Sequence, residues 1–249
     1  MIIKNNKQKI MEKSYEIIPS HYLDLKVPIY EYYHINYLSY LYKSINILKR
    51  IRIKNLLDFG CGDGRLLYEI KDLKINYTGI DISKKAIDFA RVINDDGNFI
   101  CADLTKQNIK GKIDCISAIE VIEHLSPKER IKVFKRFDDI LSVGGFLLIT
   151  VPTPLTPINK THFKHFFKKD LDAIVGKNFK SVYEIGHNIP GFNMWIYSIF
   201  NKIGIFLFPI YFLRKFLLNL TKKLYSRCSF GKIDDAQRII VLYKKLKEN

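Results

Sequence analysis

The sequence has few cysteines, no long apolar run and, over one stretch, no acidic residue. Its four cysteines are scattered and form no Cys-x-x-Cys pair, which argues against a zinc ribbon or a disulfide framework and predicts a reducing, cytoplasmic environment. Residues 1–13 lack the apolar core of a signal peptide, so export is not expected. The 249 residues suffice for one large α/β domain, or for one domain with a sizeable insertion.

The stretch without acids lies between Glu184 and Asp234, and it carries seven of the lysines and arginines that give the chain its net charge of +16. Its most apolar run, residues 203–213, has only 11 residues, whereas a bilayer span needs about 20. We therefore predict an interfacial or lid element over residues 192–220, with a buried helical pair and a transmembrane helix as alternatives. An anionic membrane surface is the expected partner, and nucleic acid is the less favoured one.

After about residue 50, strand and helix patterns alternate, which predicts a mostly parallel sheet with helices on both faces. Apolar runs predict seven strands, at residues 54–59, 76–80, 98–102, 113–119, 146–151, 180–185 and 238–243. The predicted fold is thus α/β and Rossmann-like, with a seven-stranded sheet and an apolar helical insertion before the last strand.

The same pattern divides the chain into three predicted parts. Residues 1–50 are predicted to form an N-terminal helical cap, because they are rich in tyrosine and lead into the first strand. Residues 51–185 and 233–249 are predicted to form the cofactor-binding domain. Residues 186–232 are predicted to form the apolar and basic insertion, as a lid or a membrane contact.

The most informative motif is a glycine-rich turn at the end of the first predicted strand. Three glycines follow Asp58 at alternate positions, namely Gly60, Gly62 and Gly64. Without a Cβ, these positions let the backbone turn sharply and approach a ligand closely. The third glycine of a dinucleotide fingerprint would fall on Arg65, and the acid at Asp58 would repel a pyrophosphate but attract a cationic amino-acid group. The motif therefore favours S-adenosylmethionine over a dinucleotide.

Acidic residues also follow the next two predicted strands. Asp81, with Ile82 beside it, is predicted to accept hydrogen bonds from both ribose hydroxyls, and a plain helix cap is the alternative. Asp103 is predicted to accept from an adenine amino group and Leu104 to pack on the ring, and a simple turn aspartate is the alternative. Cys61, within the glycine-rich turn, completes the predicted cofactor-binding set.

The fourth predicted strand ends in a second polar cluster. Glu120 is predicted to line the cleft with the cofactor, and Glu123 is a candidate catalytic residue beside His124. His124 is the candidate general base, because an unperturbed imidazole has a pKa of about 6.5. The alternative is that His124 packs under the sheet and only shapes the pocket. His162 and His165 are predicted to lie over the substrate pocket or to cap a helix.

Together these segments resemble the class I S-adenosylmethionine-dependent methyltransferases. Their first motif is similar to the acid and three glycines at residues 58–64, and the sequence Glu-Val-Ile-Glu-His-Leu at residues 120–125 resembles a variant of their fourth region. The resemblance covers residues 54–179 and the last strand. It implies S-adenosylmethionine as cofactor and a displacement at the sulfonium methyl that releases S-adenosylhomocysteine, and it gives Cys61 no redox role.

The acceptor is predicted to be small, with a sugar, glycan or lipid-linked hydroxyl favoured because the apolar and basic insertion suits a substrate met at a membrane surface. The alternatives are a quinone-type O-methyltransferase, an RNA 2′-O-methyltransferase and a cofactor-binding scaffold without catalysis. Glu120, Glu123, His124 and either His162 or His165 also resemble the metal-binding set of small-RNA 3′-end 2′-O-methyltransferases. Because this pattern is frequent in relatives without a metal, no metal is predicted.

Overall fold

The computed structural model describes residue 15, residues 18–107, residue 109 and residues 111–247, and of residues 192, 211 and 212 it describes the backbone alone. Residues 1–14, 16 and 17 of the predicted N-terminal cap lie outside the described residues.

Within the described residues, the strands form one eight-stranded sheet in the order β3-β2-β1-β4-β5-β8-β6-β7. They are β1 (Asn55–Phe59), β2 (Asn76–Asp81), β3 (Asn98–Cys101), β4 (Ile113–Ile119), β5 (Leu141–Pro152), β6 (Phe179–His187), β7 (Phe230–Gly231) and β8 (Arg238–Lys245). The first five pair in parallel, and β8 runs antiparallel between β5 and β6. The predicted fold class is confirmed.

The predicted count of seven strands is wrong by one. The additional strand, β7, has two residues and pairs only with Gly186 and His187 of β6. A strand this short shows no alternation of apolar and polar residues, so the sequence carries no signal for it.

Eight α-helices are described, and they cover both faces of the sheet. They are α1 (Leu23–Lys26), α2 (Tyr30–Arg50), α3 (Arg65–Ile70), α4 (Lys84–Ile93), α5 (Pro127–Ile140), α6 (Lys168–Val175), α7 (Phe192–Phe206) and α8 (Tyr211–Cys228). Side chains of successive strand residues point to opposite faces. In β1, Leu56 packs in the core beneath α2, α3 and α4, and Leu57 packs in the core beneath α5 and α6.

Helix starts follow the local sequence signals. The Ser83 hydroxyl accepts from the Ala86 amide at the start of α4, and Ser126 and Glu129 form a complete capping box at the start of α5. Helix α2 begins at Tyr30, two residues after Pro28, which lies in the preceding turn. These caps fix the helices that follow β2 and β4, and so fix the two loops at which polar residues gather.

Helices α7 and α8 form a hairpin that packs on α2. Leu218 and Tyr225 of α8 share a buried cluster with Tyr32 and Ile35 of α2. A Cβ at Gly204 of α7 would lie 2.4 Å from the Tyr32 ring, so the two helices approach as closely as a glycine allows. None of the described helices combines the length and apolar character needed to cross a membrane.

Candidate active site

The glycine-rich turn connects β1 to α3 at the carboxyl edge of the sheet. Gly60 and Gly62 adopt left-handed backbone angles, with φ of +74° and +54°. A Cβ at Gly60 would lie 2.3 Å from Cγ2 of Val121, and one at Gly62 would lie 2.7 Å from the Tyr15 hydroxyl. Both the backbone angle and the available space therefore require glycine at these positions.

Asp81, at the end of β2, binds the same turn. Its Oδ2 accepts from the Gly62 amide at 3.0 Å, and its Oδ1 accepts from the Ser83 amide at 2.8 Å. Burial raises the pKa of this carboxyl. The Ile82 amide also donates to this carboxylate, so three backbone amides hold it at the turn, and a carboxylate has about four acceptor positions in all. The side chain of Ile82 beside it is 40% exposed and offers apolar surface at this edge.

Asp58, in β1, is buried in the sheet. Its two carboxylate oxygens accept from the hydroxyls of Tyr77 and Ser117, each at 2.6 Å. Burial raises the pKa of Asp58 to about 6, and the two hydroxyl hydrogen bonds reduce that shift. Both oxygens are thus already engaged beneath the turn, so an interaction with a cationic amino-acid group would require a second acceptor position on the same oxygens.

The two residues predicted to contact the adenine, Asp103 and Leu104, differ in their exposure to solvent. Asp103 is partly exposed and accepts from the amide and hydroxyl of Thr105, which is the geometry of a turn aspartate. Leu104 is 1% exposed and packs in the main core, so the prediction that it covers an adenine ring does not match its position. The chain turns inward after β3, and this leaves Ile82 as the exposed apolar residue near Asp81.

Cys61 is also buried beneath the turn, and burial raises the pKa of its thiol. A thiol with a raised pKa stays protonated and is a weak nucleophile. Its position fits the expectation that it has no redox role.

A segment that precedes α2 covers the outer side of the glycine-rich turn. The backbone amide and the Nδ1 of His21 both contact the carboxylate of Asp63, at 3.2 and 2.9 Å. The guanidinium of Arg65 forms a buried bidentate pair with Asp24 at 2.8 and 3.1 Å. Sequence analysis missed these contacts, because no local pattern pairs residues 41 positions apart.

Glu120, at the end of β4, has a left-handed backbone with φ of +56°, which is unusual for a residue with a side chain. Thr150 of β5 holds this conformation, because its hydroxyl and carbonyl oxygens accept from the Glu120 amide and its hydroxyl donates to Oε1 at 3.0 Å. Arg238 of β8 pairs with Oε2 at 2.8 Å.

Arg238 is the main residue of this edge that sequence analysis missed. Its guanidinium lies 4.2 Å from the centre of the Tyr40 ring and donates to Oδ1 of Asn36 at 3.1 Å, so two residues of α2 hold it beside Glu120. Its position depends on β8 lying next to β5, which no local sequence signal indicates.

The three predicted histidines gather beside Glu120. Nδ1 of His124 donates to the Thr161 carbonyl at 3.0 Å, which leaves Nε2 as the basic nitrogen. The rings of His124 and His162 meet edge to face, with centroids 4.7 Å apart. Burial, together with the nearby His124 and His165, lowers the pKa of His162 to about 4. His124 is thus oriented by its backbone partner and flanked by a neutral imidazole.

His165 is buried and anchors this cluster from beneath. Its Nδ1 donates to the Thr156 carbonyl at 2.9 Å, and its Nε2 accepts from Nδ1 of His162 at 2.8 Å. Nε2 of His162 accepts from the amide of Asn159 at 2.9 Å. His162 is thus partly exposed and His165 is buried beneath it, and their substrate role stays a prediction.

One group of described residues has metal-site dimensions. Glu123, His124 and His162 each offer a ligand atom, and these atoms lie within 4.8 Å of one another. A carboxylate with two imidazoles suits a divalent transition metal. Both ring nitrogens of His162, however, are engaged by Asn159 and His165, so metal binding would have to break one of these hydrogen bonds. The prediction of no metal stays a prediction.

Comparisons with known proteins bear on this edge of the sheet. Residues 57–147 match a family model described as a methyltransferase domain. The "Ubiquinone biosynthesis O-methyltransferase" of Shewanella pealeana is 26% identical over 103 residues, which are 39% of this chain and 43% of that protein. The chain therefore spans less than half the length of the curated relatives it matches.

Two solved structures share the fold. The N-methyltransferase NodS from Bradyrhizobium japonicum, crystallised with S-adenosyl-L-homocysteine, aligns with a TM-score of 0.62 at 13% identity, over 98% of this chain and 100% of that one. The [4+2]-cyclase SpnF aligns with a TM-score of 0.54 at 16% identity, over 83% of this chain and 81% of that one. A cyclase with this fold shows that the fold alone does not determine the reaction.

Proposed function

We propose that the chain is an S-adenosylmethionine-dependent O-methyltransferase that acts on a hydroxyl of a small acceptor, since residues 57–147 match the model of a methyltransferase domain and lie in a sheet of the class I type. The resemblance seen in the motifs of the sequence agrees with the matched family, whose cofactor is S-adenosylmethionine. The residues present fit that cofactor, because Gly60 and Gly62 add no side chain to the turn and the Asp81 carboxylate lies directly against it, at the end of β2.

The observation that carries the proposal is the orientation of His124. The Thr161 carbonyl fixes the proton on Nδ1, so Nε2 can remove a proton from an acceptor hydroxyl. When bound, S-adenosylmethionine supplies an activated methyl group on a sulfonium. With the cofactor bound, His124 would take the proton of the acceptor hydroxyl, so that the oxygen could accept the methyl group. The surrounding side chains would align the acceptor with the methyl group and exclude water, and these two effects would supply the remaining rate enhancement.

Two acceptor classes compete within this proposal. A lipid-linked or glycan hydroxyl is supported by the apolar and basic hairpin of α7 and α8, which packs on α2 next to the cleft. A quinone-type hydroxyl is supported by the names of the relatives, both of which are O-methyltransferases of ubiquinone biosynthesis. An RNA acceptor is supported by the net charge of +16 alone, because none of the contacts described above is specific to RNA.

The decisive experiment is a screen with isotope-labelled methyl donor against lysate fractions separated into lipid, glycan, RNA and protein. We expect label in the lipid or glycan fraction, and chemical analysis of the product should find an O-methyl ether. The variant Asp81→Ala is the control, because it should reduce labelling through weaker cofactor binding. Label confined to RNA would replace the proposal with the RNA alternative. Cofactor binding without transfer to any fraction would support a non-catalytic scaffold.

A further inference from the structure

The α7–α8 hairpin exposes an apolar strip that the fold does not explain. Along α7 the side chains of Trp195, Ile199, Ile203 and Phe206 are 61%, 38%, 40% and 82% exposed. Their spacing of three or four residues puts them on one side of the helix, which we call the aromatic stripe. The opposite side of α7 is buried against Tyr32 of α2 at Gly204. The stripe therefore faces away from the protein.

The second helix of the hairpin exposes positive charge. Four exposed basic residues, which we call the basic face, project from α8, namely Lys215, Lys222, Lys223 and Arg227. Phe216 lies among them and is 64% exposed. No acid occurs in the sequence between Glu184 and Asp234, so nothing within the hairpin compensates this charge. Lys222 forms an ion pair outside the hairpin, with Glu31 of α2.

We propose that the α7–α8 hairpin docks on an anionic membrane surface. In this arrangement the aromatic stripe enters the boundary between headgroups and acyl chains, where Trp and Phe side chains are favourable, and the basic face contacts anionic headgroups. The hairpin lies in the membrane interface and does not cross the bilayer.

Charge and side-chain chemistry favour a lipid surface over the two other candidate partners of the hairpin, a second copy of the chain and an RNA strand. A second copy of the chain would bring the same positive charge against the basic face, which repels it. An RNA strand would match the basic face, but it would leave the aliphatic side chains Ile199 and Ile203 exposed without a role, since bases stack on aromatic rings. Only a lipid surface accounts for both faces.

The hairpin is connected to the cleft by a short series of buried contacts. The Tyr225 hydroxyl of α8 hydrogen-bonds to Nε2 of His187 at 3.1 Å, and the His187 ring contacts Tyr40. Tyr40 in turn stacks on Arg238, the partner of Glu120. Docking would therefore hold the cleft beside the bilayer, within reach of an acceptor with an apolar tail. This consequence rests on the proposed function, whereas the docking itself does not.

Sedimentation of the full chain with vesicles tests the docking without cofactor or substrate. We expect binding to mixed phosphatidylcholine and phosphatidylglycerol vesicles, and little binding to phosphatidylcholine alone. The double variant Trp195→Ser/Phe206→Ser should bind the anionic vesicles about tenfold more weakly, because it removes two inserted side chains. The double variant Lys215→Gln/Lys223→Gln should lose about fivefold per lysine, and added salt should abolish this difference.

The double variant Val92→Ser/Ile131→Ser is the matched control. These two side chains are 80% and 71% exposed on α4 and α5, so the loss of exposed apolar surface is similar, but vesicle binding should not change. Unchanged circular dichroism and melting temperature verify that each variant is folded. Three results would overturn the proposal: equal binding to both kinds of vesicle, self-association in sedimentation velocity that the Trp195 and Phe206 variant abolishes, or RNA binding in place of vesicle binding. Because no turnover is measured, failure here leaves the proposed function untouched.

Discussion

The two halves of the carboxyl edge are built from different kinds of contact. At the ends of β1 and β2, the cofactor side, backbone amides and buried pairs surround the glycine-rich turn, as in the bonds from Gly62 to Asp81. At the ends of β4, β5 and β8, the acceptor side, side chains from distant parts of the chain converge, as in the contacts of Glu120 with Thr150 and Arg238. The cofactor side is thus a local motif, whereas the acceptor side exists only through the sheet topology. Substitutions on the first side should alter binding and stability, and those on the second should alter turnover.

The sharpest test of the acceptor side is His124→Ala. We expect turnover to fall by about 100-fold to 10,000-fold, the usual contribution of a general base, because the variant lacks the Nε2 that takes the proton. Affinity for S-adenosylhomocysteine, measured by calorimetry, should stay the same, since the contacts of the glycine-rich turn are intact. An unaffected rate would mean that His124 only shapes the pocket.

On the cofactor side, Asp24→Ala should destabilise the fold by about 2 kcal/mol, because the buried Arg65 loses its bidentate partner and keeps its pair with Glu69. Burial alone would raise the pKa of Asp24, but hydrogen bonds from His34 and Arg65 outweigh it and lower the pKa to about 2. The stabilisation is therefore complete above the unfolded pKa of about 4 and is lost as the pH falls towards 2. Urea denaturation at several pH values measures both effects.

Asp88→Ala is the control for that prediction. Asp88 pairs with Lys84 on the exposed side of α4 at 2.6 Å, and exposed pairs contribute about 0.5 kcal/mol. If both variants lose the same stability, the pair between Asp24 and Arg65 does not hold the segment over the turn.

Two glycine substitutions, compared with each other, separate the cost of backbone strain from the cost of a steric clash with a neighbouring side chain. Gly60→Ala and Gly144→Ala both place a side chain at positive φ, at +74° and +81°, which costs about 1 kcal/mol. At Gly144 no atom lies within 4 Å of the new Cβ, whereas at Gly60 the new Cβ would overlap Val121. We expect Gly60→Ala to lose about 2 kcal/mol more in urea denaturation, and to bind S-adenosylhomocysteine more weakly. Equal losses would show that Val121 moves aside freely.

Asp81→Ala should weaken cofactor binding by about 10-fold to 100-fold, as expected for the loss of charge-assisted hydrogen bonds. Calorimetry with S-adenosylmethionine measures the change, and turnover at saturating cofactor should stay near that of the unaltered protein. Unchanged affinity would contradict the ribose role and favour the helix-cap alternative.

The smallest expected effect concerns metal. Treatment with a chelator should leave turnover unchanged, because the nitrogens of His162 are already hydrogen-bonded within the cluster. Inactivation that a divalent ion reverses would overturn this prediction and make Glu123, His124 and His162 ligands.

Sequence patterns predicted the fold, and they located the glycine-rich turn and its neighbouring acids, for a physical reason. The three glycines, Asp81 and the Ser126 cap each depend on residues within a few positions of one another, so a short sequence window contains the whole signal. The same reasoning placed Leu104 on an adenine ring, although it packs in the core, because periodicity does not tell which way a loop turns after a strand. Ile82 was also predicted to contact the cofactor, and its side chain, unlike that of Leu104, is exposed.

The acceptor side could not be predicted to the same extent. Tyr40, Glu120 and Arg238 are 80 or more positions apart along the chain, and they meet only because β8 enters the sheet beside β5. The left-handed backbone at Glu120 could not be predicted from the sequence either, since glutamate has no strong preference for positive φ.

The position of β8 has a consequence for how the protein is made. It is the final strand in the described chain, yet it lies between β5 and β6. Until the ribosome has released it, β5 presents an open edge and β6 has no neighbour through which to join the sheet. A nascent chain can assemble β1 to β5 early, but the exposed β5 edge stays prone to aggregation until β8 is inserted, so chaperone protection is most valuable before that point.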